Sequence, residues 1–577
     1  MKQFLKMLLA VICGILLVNI IIFAIIGGII GSAASMAGGS AKAVLPREGV
    51  LAIDLSEVTV AEQAVPADAI SMLQGMYVST VGIYKAVQAI NIAAEDPAVQ
   101  YIYLKTDGST LGISTLTELR DALLNFHRSG KPVIAYSENP GLGTYYLSTA
   151  ADKIYISSYE GGNYNFTGLC AQSFYLKDLL DKFGVNMQLI RHGKYKSAGE
   201  MYVRNSPSEE NKEQYRRMVD SMWDTIAGAI TDSREISRGD LDALIDNLAL
   251  CLPGDFEAAG LVDGVLTRDE LKAKLTTYAM AGSFKDVKFI PFADYVAARA
   301  VPNFKVRDRI AILYANGEIV DGNDFQNVAG DSFVAEIDKI RSDSHVKAVV
   351  LRVNSPGGSV FASEKIKHEL DLLAQQVPLV ASYGELAASG GYWISNNCTR
   401  IYSDATTLTG SIGVFGLIPE ASKALKDKAG IGTFEAKSHR HADMVRLTRP
   451  LDSAEYKYME RSIESIYDKF TTIVSEGRGM EKDQVDAIGQ GRVWTGADAL
   501  GIGLVDEIGT LEDAIACAAS LAGLESWQIA EYPKELTQFE MLMQSMGQTS
   551  EHRYVKALSR ITEPQVLARM PYNITVY

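Results

Sequence analysis

The chain has 577 residues, 47% of them hydrophobic and 22% charged, with a formal net charge of -15. That apolar content excludes a disordered chain, and the length excludes a single small module, since domains run to roughly 100–200 residues. Lys and Arg number 55 against 70 Asp and Glu, with no basic cluster, which argues against a nucleic-acid partner.

From Met7 to Gly31 no residue is charged, Lys2 and Lys6 precede the stretch, and no acid follows until Glu48. A run of that length spans a bilayer, and the N-terminal lysines place residues 1–31 as a cytoplasmic end plus transmembrane anchor, with the bulk of the chain on the extracytoplasmic side. The competing reading is a cleaved signal peptide ending in the small residues Ser32–Ala37. Its apolar core would be longer than the usual ~7–15 residues, so an uncleaved anchor is the expectation. Residues 32–45, rich in Gly, Ala and Ser, read as a tether.

An internal repeat follows. With one gapless offset, Leu104, Tyr136, Glu138, Gly143, Tyr145, Ser148 and Ile154-Tyr155 match Leu351, Tyr383, Glu385, Gly390, Tyr392, Ser395 and Ile401-Tyr402. Further on, Gly260-Leu261-Val262-Asp263 echoes Gly503-Leu504-Val505-Asp506. Two tandem copies are expected, at 46–300 and 306–530, leaving 531–577 as a tail without a clear pattern. The five cysteines (Cys13, Cys170, Cys251, Cys398, Cys517) stand far apart, so neither a zinc site nor a dense disulfide scaffold is indicated.

In the second copy, Ile310–Ala315, Ala348–Val353 and Leu379–Ser382 are short runs typical of buried parallel strands. Phe361–Gln375 carries a helical apolar stripe, which makes the segment a βαβ series in an α/β fold. Chemistry gathers at the carboxyl ends of such strands. Two loops are expected there, Asn354–Ser359 and Gly384–Gly391. The first, with Pro356, Gly357 and Gly358, suits an anion-holding nest of amides. The second offers Ser389 among Ala and Gly at a helix start, either as a nucleophile beside an oxyanion hole or as a helix cap.

These strings, with Ala387–Trp393 and Thr409–Val414, resemble peptidase family S49, the signal peptide peptidases. The tandem repeat, the anchor and Lys194-Tyr195-Lys196-Ser197-Ala198 resemble its long form. The resemblance implies tandem ClpP/crotonase-like domains and a serine endopeptidase with a Ser–Lys dyad split between the copies. It assigns Ser389 as nucleophile, Lys196 as general base, and Gly357, Gly358 and Gly390 to the oxyanion site. It further implies a homo-oligomer (a tetramer) on the bacterial inner membrane, acting on hydrophobic signal peptides left after preprotein processing.

In the first copy, Leu142 stands where Ser389 is expected and Thr110-Leu111 where the two glycines are, so that copy cannot run the reaction alone. A lysine can act as base near pH 7 only if desolvation lowers its pKa by roughly three units. Lys194, two residues from Lys196, would share its face if the segment were a strand. A rival base is His441, with Asp443 completing a Ser–His–Asp triad. A crotonase-type thioester enzyme would cast Glu385 as proton carrier, and a non-catalytic scaffold would not need the second-copy motifs. No metal-ligand spacing and no phosphate-binding loop occur in the sequence, so no cofactor is expected.

Overall fold

The computed structural model describes residues 45–64, 78–303, 305–324, 326–535 and 565–570. The expected anchor, Met7–Gly31, lies outside the described residues; among the described residues no helix is long and apolar enough to cross a membrane.

The first copy supplies strands β1 (Gly49–Asp54), β2 (Val99–Lys105), β3 (Val133–Ser137), β4 (Lys153–Ser157), β5 (Asn186–His192), β6 (Gly264–Leu266) and β7 (Phe289–Pro291). Its helices α1 (Ile113–His127), α2 (Leu142–Ser148) and α3 (Glu209–Arg234) bear on the site. The second supplies β8 (Arg309–Asn316), β9 (Ile319–Val320), β10 (Val328–Ala329), β11 (Val346–Ser355), β12 (Gly357–Ser359), β13 (Leu379–Ala388), β14 (Arg400–Ser403), β15 (Leu408–Gly410), β16 (Val414–Glu420) and β17 (Val493–Thr495). With these come α4 (Val360–Ala374), α5 (Gly390–Ser395) and α6 (Ser453–Arg478), then β18 (Gln528–Tyr532) and β19 (Gln565–Arg569).

Three sheets organise these strands. The first copy forms a parallel sheet in the order β6-β4-β3-β2-β1-β7. The second forms β17-β15-β13-β11-β8-β18, with β14 beside β13 and only the β15–β17 edge antiparallel. Strands such as β11 are buried along almost their whole length, as parallel strands covered on both faces must be. The third sheet, β10-β9-β12-β19-β16-β5, mixes the copies: β5 of the first pairs antiparallel with β16 of the second over seven positions.

The repeat is visible in packing as well as in order. Helices α1 and α4 start and end at the same sequence offset. Tyr145 and Tyr392 each donate a phenolic hydrogen bond to the carbonyl of a matching leucine, Leu261 and Leu504. Asp263 and Asp506 each accept from the amide of Ile154 or Ile401 and pair with Arg234 or Arg478.

The copies meet around a buried charge cluster. Arg352, at 1% exposure, lies 2.7 Å from Glu62 and 2.6 Å from Glu118, both on the first copy. Burial pushes the Glu118 carboxyl up to about 7. Glu385 on β13 accepts from the amides of Ser114 and Thr115 and so caps α1 from the other copy; burial pushes it up to about 7 as well.

Two expectations need correction. The segment from Gly384 is no loop, because β13 continues to Ala388 and Leu386–Ala388 pair with β15. The tail expected from residue 531 begins inside β18, which pairs with β8, and a second piece of it, β19, enters the third sheet.

Candidate active site

Strand β13 runs beside the centre of the second copy's sheet and delivers Ser389 at its carboxyl end, where α5 begins. Small residues are demanded there: a methyl group on Gly390 would lie 2.8 Å from Ser363 Oγ, and one on Gly391 would lie 2.9 Å from the Ser355 carbonyl. Ser389 has φ 57° and ψ -111°, a conformation that costs a non-glycine residue about 1–3 kcal/mol and must be held by its surroundings. Its amide donates to Gly410 O at 2.8 Å, and its carbonyl accepts from Trp393 N at 2.8 Å.

Lys196 comes from the first copy, in the turn after β5. Its Nζ lies 2.8 Å from Ser389 Oγ, 2.9 Å from Ser411 Oγ and 3.2 Å from Ser411 O. The side chain is fully buried. Glycines close around it: a methyl on Gly491 would fall 2.5 Å from Lys196 Cβ, and one on Gly413 3.2 Å from Cδ. Arg191 donates to the Lys196 carbonyl at 2.8 Å and to Glu200 at 3.0 Å, which fixes the turn. Burial pushes the lysine pKa down to about 7. At that value a large fraction is neutral amine, able to accept the Ser389 proton while donating to Ser411.

The glycine nest lies against the same serine. Gly357 has φ 90°, and both Gly357 and Gly358 are buried. A methyl on Gly390 would lie 3.1 Å from Gly358 N, so the backbones of Gly358 and Gly390 are packed against each other beside Ser389. On Gly358 a methyl would lie 2.0 Å from the Ile319 carbonyl, which leaves glycine as the residue that fits.

The structure thus brings together Ser389, Lys196, Gly357, Gly358 and Gly390. It does not bring His441 and Asp443 together as a triad. His441 Nδ1 is 2.9 Å from Glu455, and Asp443 is held by Arg449 and Lys437, which keep its carboxyl well below the usual range. His441, with Asp452 and Glu455 at the start of α6, places three possible ligand atoms within 4.8 Å, but Arg449 donates to Glu455 from 2.7 Å and already neutralises it. Lys194 does not accompany Lys196: the segment is a turn, and Lys194 is exposed over the Tyr195 ring. Glu385 serves the α1 cap. The residue that sequence reasoning missed is Ser411, visible only as part of a string, with no spacing to mark it as the lysine's second partner.

The sequence matches the family model for peptidase family S49 over residues 125–281 and 371–525, one segment in each copy. It is 35% identical over 557 residues to Protease 4 of Haemophilus influenzae, covering 90% of this chain and 87% of that protein. Identity to Protease 4 of Salmonella typhi is 36% over 476 residues, 80% of this chain and 76% of the other. Against the chloroplastic serine protease SPPA of Arabidopsis thaliana it is 34% over 444 residues, 75% of this chain and 64% of that one. Matched across both copies and along most of its length by proteases, the chain belongs to peptidase family S49 and is a serine protease.

Proposed function

We propose that the protein is a membrane-anchored endopeptidase that uses a Ser389–Lys196 dyad to cleave signal peptides left after preprotein processing. The observation that carries the dyad is the 2.8 Å contact between Lys196 Nζ and Ser389 Oγ, both fully buried. Neutral Lys196 takes the Ser389 proton as Oγ attacks the scissile carbonyl carbon. The resulting oxyanion is received by the amides of Gly358 and Gly390, with Gly357 shaping the turn. The ammonium, steadied by both oxygens of Ser411, then protonates the leaving amine. Water, activated by the same lysine, releases the acyl group from Ser389 and regenerates the enzyme.

The substrate class, the ClpP/crotonase-type fold, a homo-oligomeric (tetrameric) assembly and a place on the bacterial inner membrane rest on the resemblance of the motifs and on Met7–Gly31. The thioester reading is disfavoured because Glu385, its proton carrier, is engaged at the end of α1.

The dyad is tested by substitution and labelling. Lys196→Ala should fall to near the Ser389→Ala level, since members of one nucleophilic unit are non-additive, and His441→Ala should keep most activity. A fluorophosphonate probe should mark Ser389. An active Lys196→Ala enzyme silenced by His441→Ala would replace the dyad with a triad. For the anchor, the full chain should resist a high-salt wash of membranes and leave with detergent; a soluble mature protein starting near residues 35–42 would show cleavage instead.

A further inference from the structure

The base of the proposed dyad sits in a turn that the first copy builds and the second copy holds. Residues 193–196 leave β5 and press against the segment 489–493 of the second copy, backbone to backbone. Tyr195 N donates to Gln490 O at 2.9 Å, and a methyl on Gly193 would fall 2.4 Å from that same oxygen. The segment continues to the lysine's other neighbour: Gly491 N donates to Ile412 O at 2.7 Å, and Arg492 O accepts from Ser411 N at 2.7 Å. One stretch of main chain therefore fixes the Lys196 turn on one side and, on the other, the Ser411 whose two oxygens face Nζ.

That stretch is itself held under constraint. Gln490 has φ 55°, a left-handed conformation that a non-glycine residue keeps only where its surroundings impose it. Its amide donates to Tyr467 Oη at 3.2 Å and its Nε2 to Asp486 Oδ1 at 2.6 Å, while the Tyr467 hydroxyl donates to the same Oδ1 at 2.6 Å. Tyr467, buried on α6, also reaches the near end of the turn, where its ring stacks on His192 with centroids 3.7 Å apart. A single side chain of the second copy thus supports both ends of the turn that carries Lys196.

We propose that Tyr467, Asp486 and Gln490 are positioning residues for the general base: locked together, they set where the first copy's lysine stands against the second copy's serine. This rests on the reading of Lys196 as base. A positioned base needs Nζ within hydrogen-bond reach of Oγ, and loosening the turn would also admit water to an amine that is neutral because it is buried. The charged groups around the turn are Arg191 with Glu200, Arg492 with Glu213, His192 with Glu464, and Lys194 over the Tyr195 ring. Removing the Tyr467 hydroxyl alters the charge of none of them.

The test is Tyr467→Phe in the full chain, which keeps the ring against His192 and deletes the hydroxyl, with Gln490→Gly as a milder variant that removes the side-chain anchor and adopts positive φ freely. Each should move the acid limb of log kcat/KM up by about one pH unit, which lowers kcat/KM about fivefold near pH 7 through kcat, with KM for a short peptide little changed. Most of that loss should vanish by about pH 9. Asp486→Ala should behave as Tyr467→Phe does, and Asp486→Asn, whose Oδ1 still accepts both hydrogen bonds, should recover most of what Asp486→Ala loses. Val474→Ala, a cut into the buried face of the same helix, should lower the melting temperature and leave the limb in place. A folded Tyr467→Phe protein with the parent's limb overturns the positioning role and reduces the network to support of the fold; where that variant melts below the assay temperature, Gln490→Gly decides by the same criterion. A Lys196→Ala protein with the parent's activity would instead sink the base reading.

Discussion

Lys196 shows how far a fold can move one side chain from its solution chemistry. Its pKa falls from 10.5 to about 7 because it is buried without a carboxylate partner. At about 1.4 kcal/mol per unit, holding it in place opposes folding by about 3–5 kcal/mol at neutral pH. Between these two values the unfolded lysine keeps a proton that the folded one has lost, so stability rises with pH across roughly 7 to 10.5. Replacing Lys196 by Met, similar in length and apolar, should therefore stabilise the protein by about 1–3 kcal/mol at pH 7 and flatten that slope while abolishing cleavage; denaturant unfolding at several pH values measures it. For the parent enzyme, log kcat/KM should climb to a plateau above about pH 7, and Lys196→Arg should be inactive because a guanidinium stays charged. Nothing in the pattern around Lys196 announces this role. It sits in a turn, looks like any loop lysine, and became a candidate only through its resemblance to a family string; the two oxygens of Ser411 that steady it come from more than two hundred residues away.

At the scale of elements, the site depends on strand ends meeting without room for a side chain. From sequence, the Gly357-Gly358 segment reads as a loop, where a larger residue would disturb chemistry more than stability. The structure makes Gly358 a buried strand residue facing the Ile319 carbonyl. Gly358→Ala should thus lose about 10²–10³ in kcat and also lower the melting temperature; a variant that melts earlier but turns over normally would place the oxyanion donors elsewhere. Helix α4 and the cores of β8 and β11 are legible because hydrophobic period and β-branched runs report burial directly. The continuation of β13 through Gly-Glu-Leu-Ala-Ala is not: small residues and glycine mimic a loop, and only pairing with β15 makes them a strand. Strand β19 is equally invisible, since a short stretch ending in Ala-Arg-Met gains its conformation entirely from neighbours distant in sequence.

For the whole molecule, the two copies meet through buried ionisable groups. Glu385 has its folded pKa raised to about 7 from 4.5, so the folded state binds the extra proton between these values, and its contribution to stability is fully present at low pH and fades as pH rises through about 7. Glu385→Gln should reduce the dependence of melting temperature on pH between about 5 and 7.5. Removing Arg352 alone, as Arg352→Leu, would strand Glu62 and Glu118 without their cation and should cost about 3–5 kcal/mol. Each copy expressed by itself should be inactive, because Ser389 and Lys196, the proposed nucleophile and base, arrive from different copies.

The β5–β16 ladder also bears on how the chain comes to be folded. His192 and Val414 are partners, yet more than two hundred residues separate them. At roughly 5–20 residues per second, β5 would wait about 10–40 s for its partner to be synthesised. During that interval an emerging first copy shows an open strand edge and a lysine not yet enclosed. Such an edge invites pairing with a neighbouring nascent chain, and the charged Arg191 near its end is the kind of residue that discourages it. Separating the proposed base from the proposed nucleophile along the chain therefore acts as a timer: an emerging first copy holds Lys196 alone, and the proposed dyad forms only after Ser389 and Ser411, about two hundred residues further on, have been delivered.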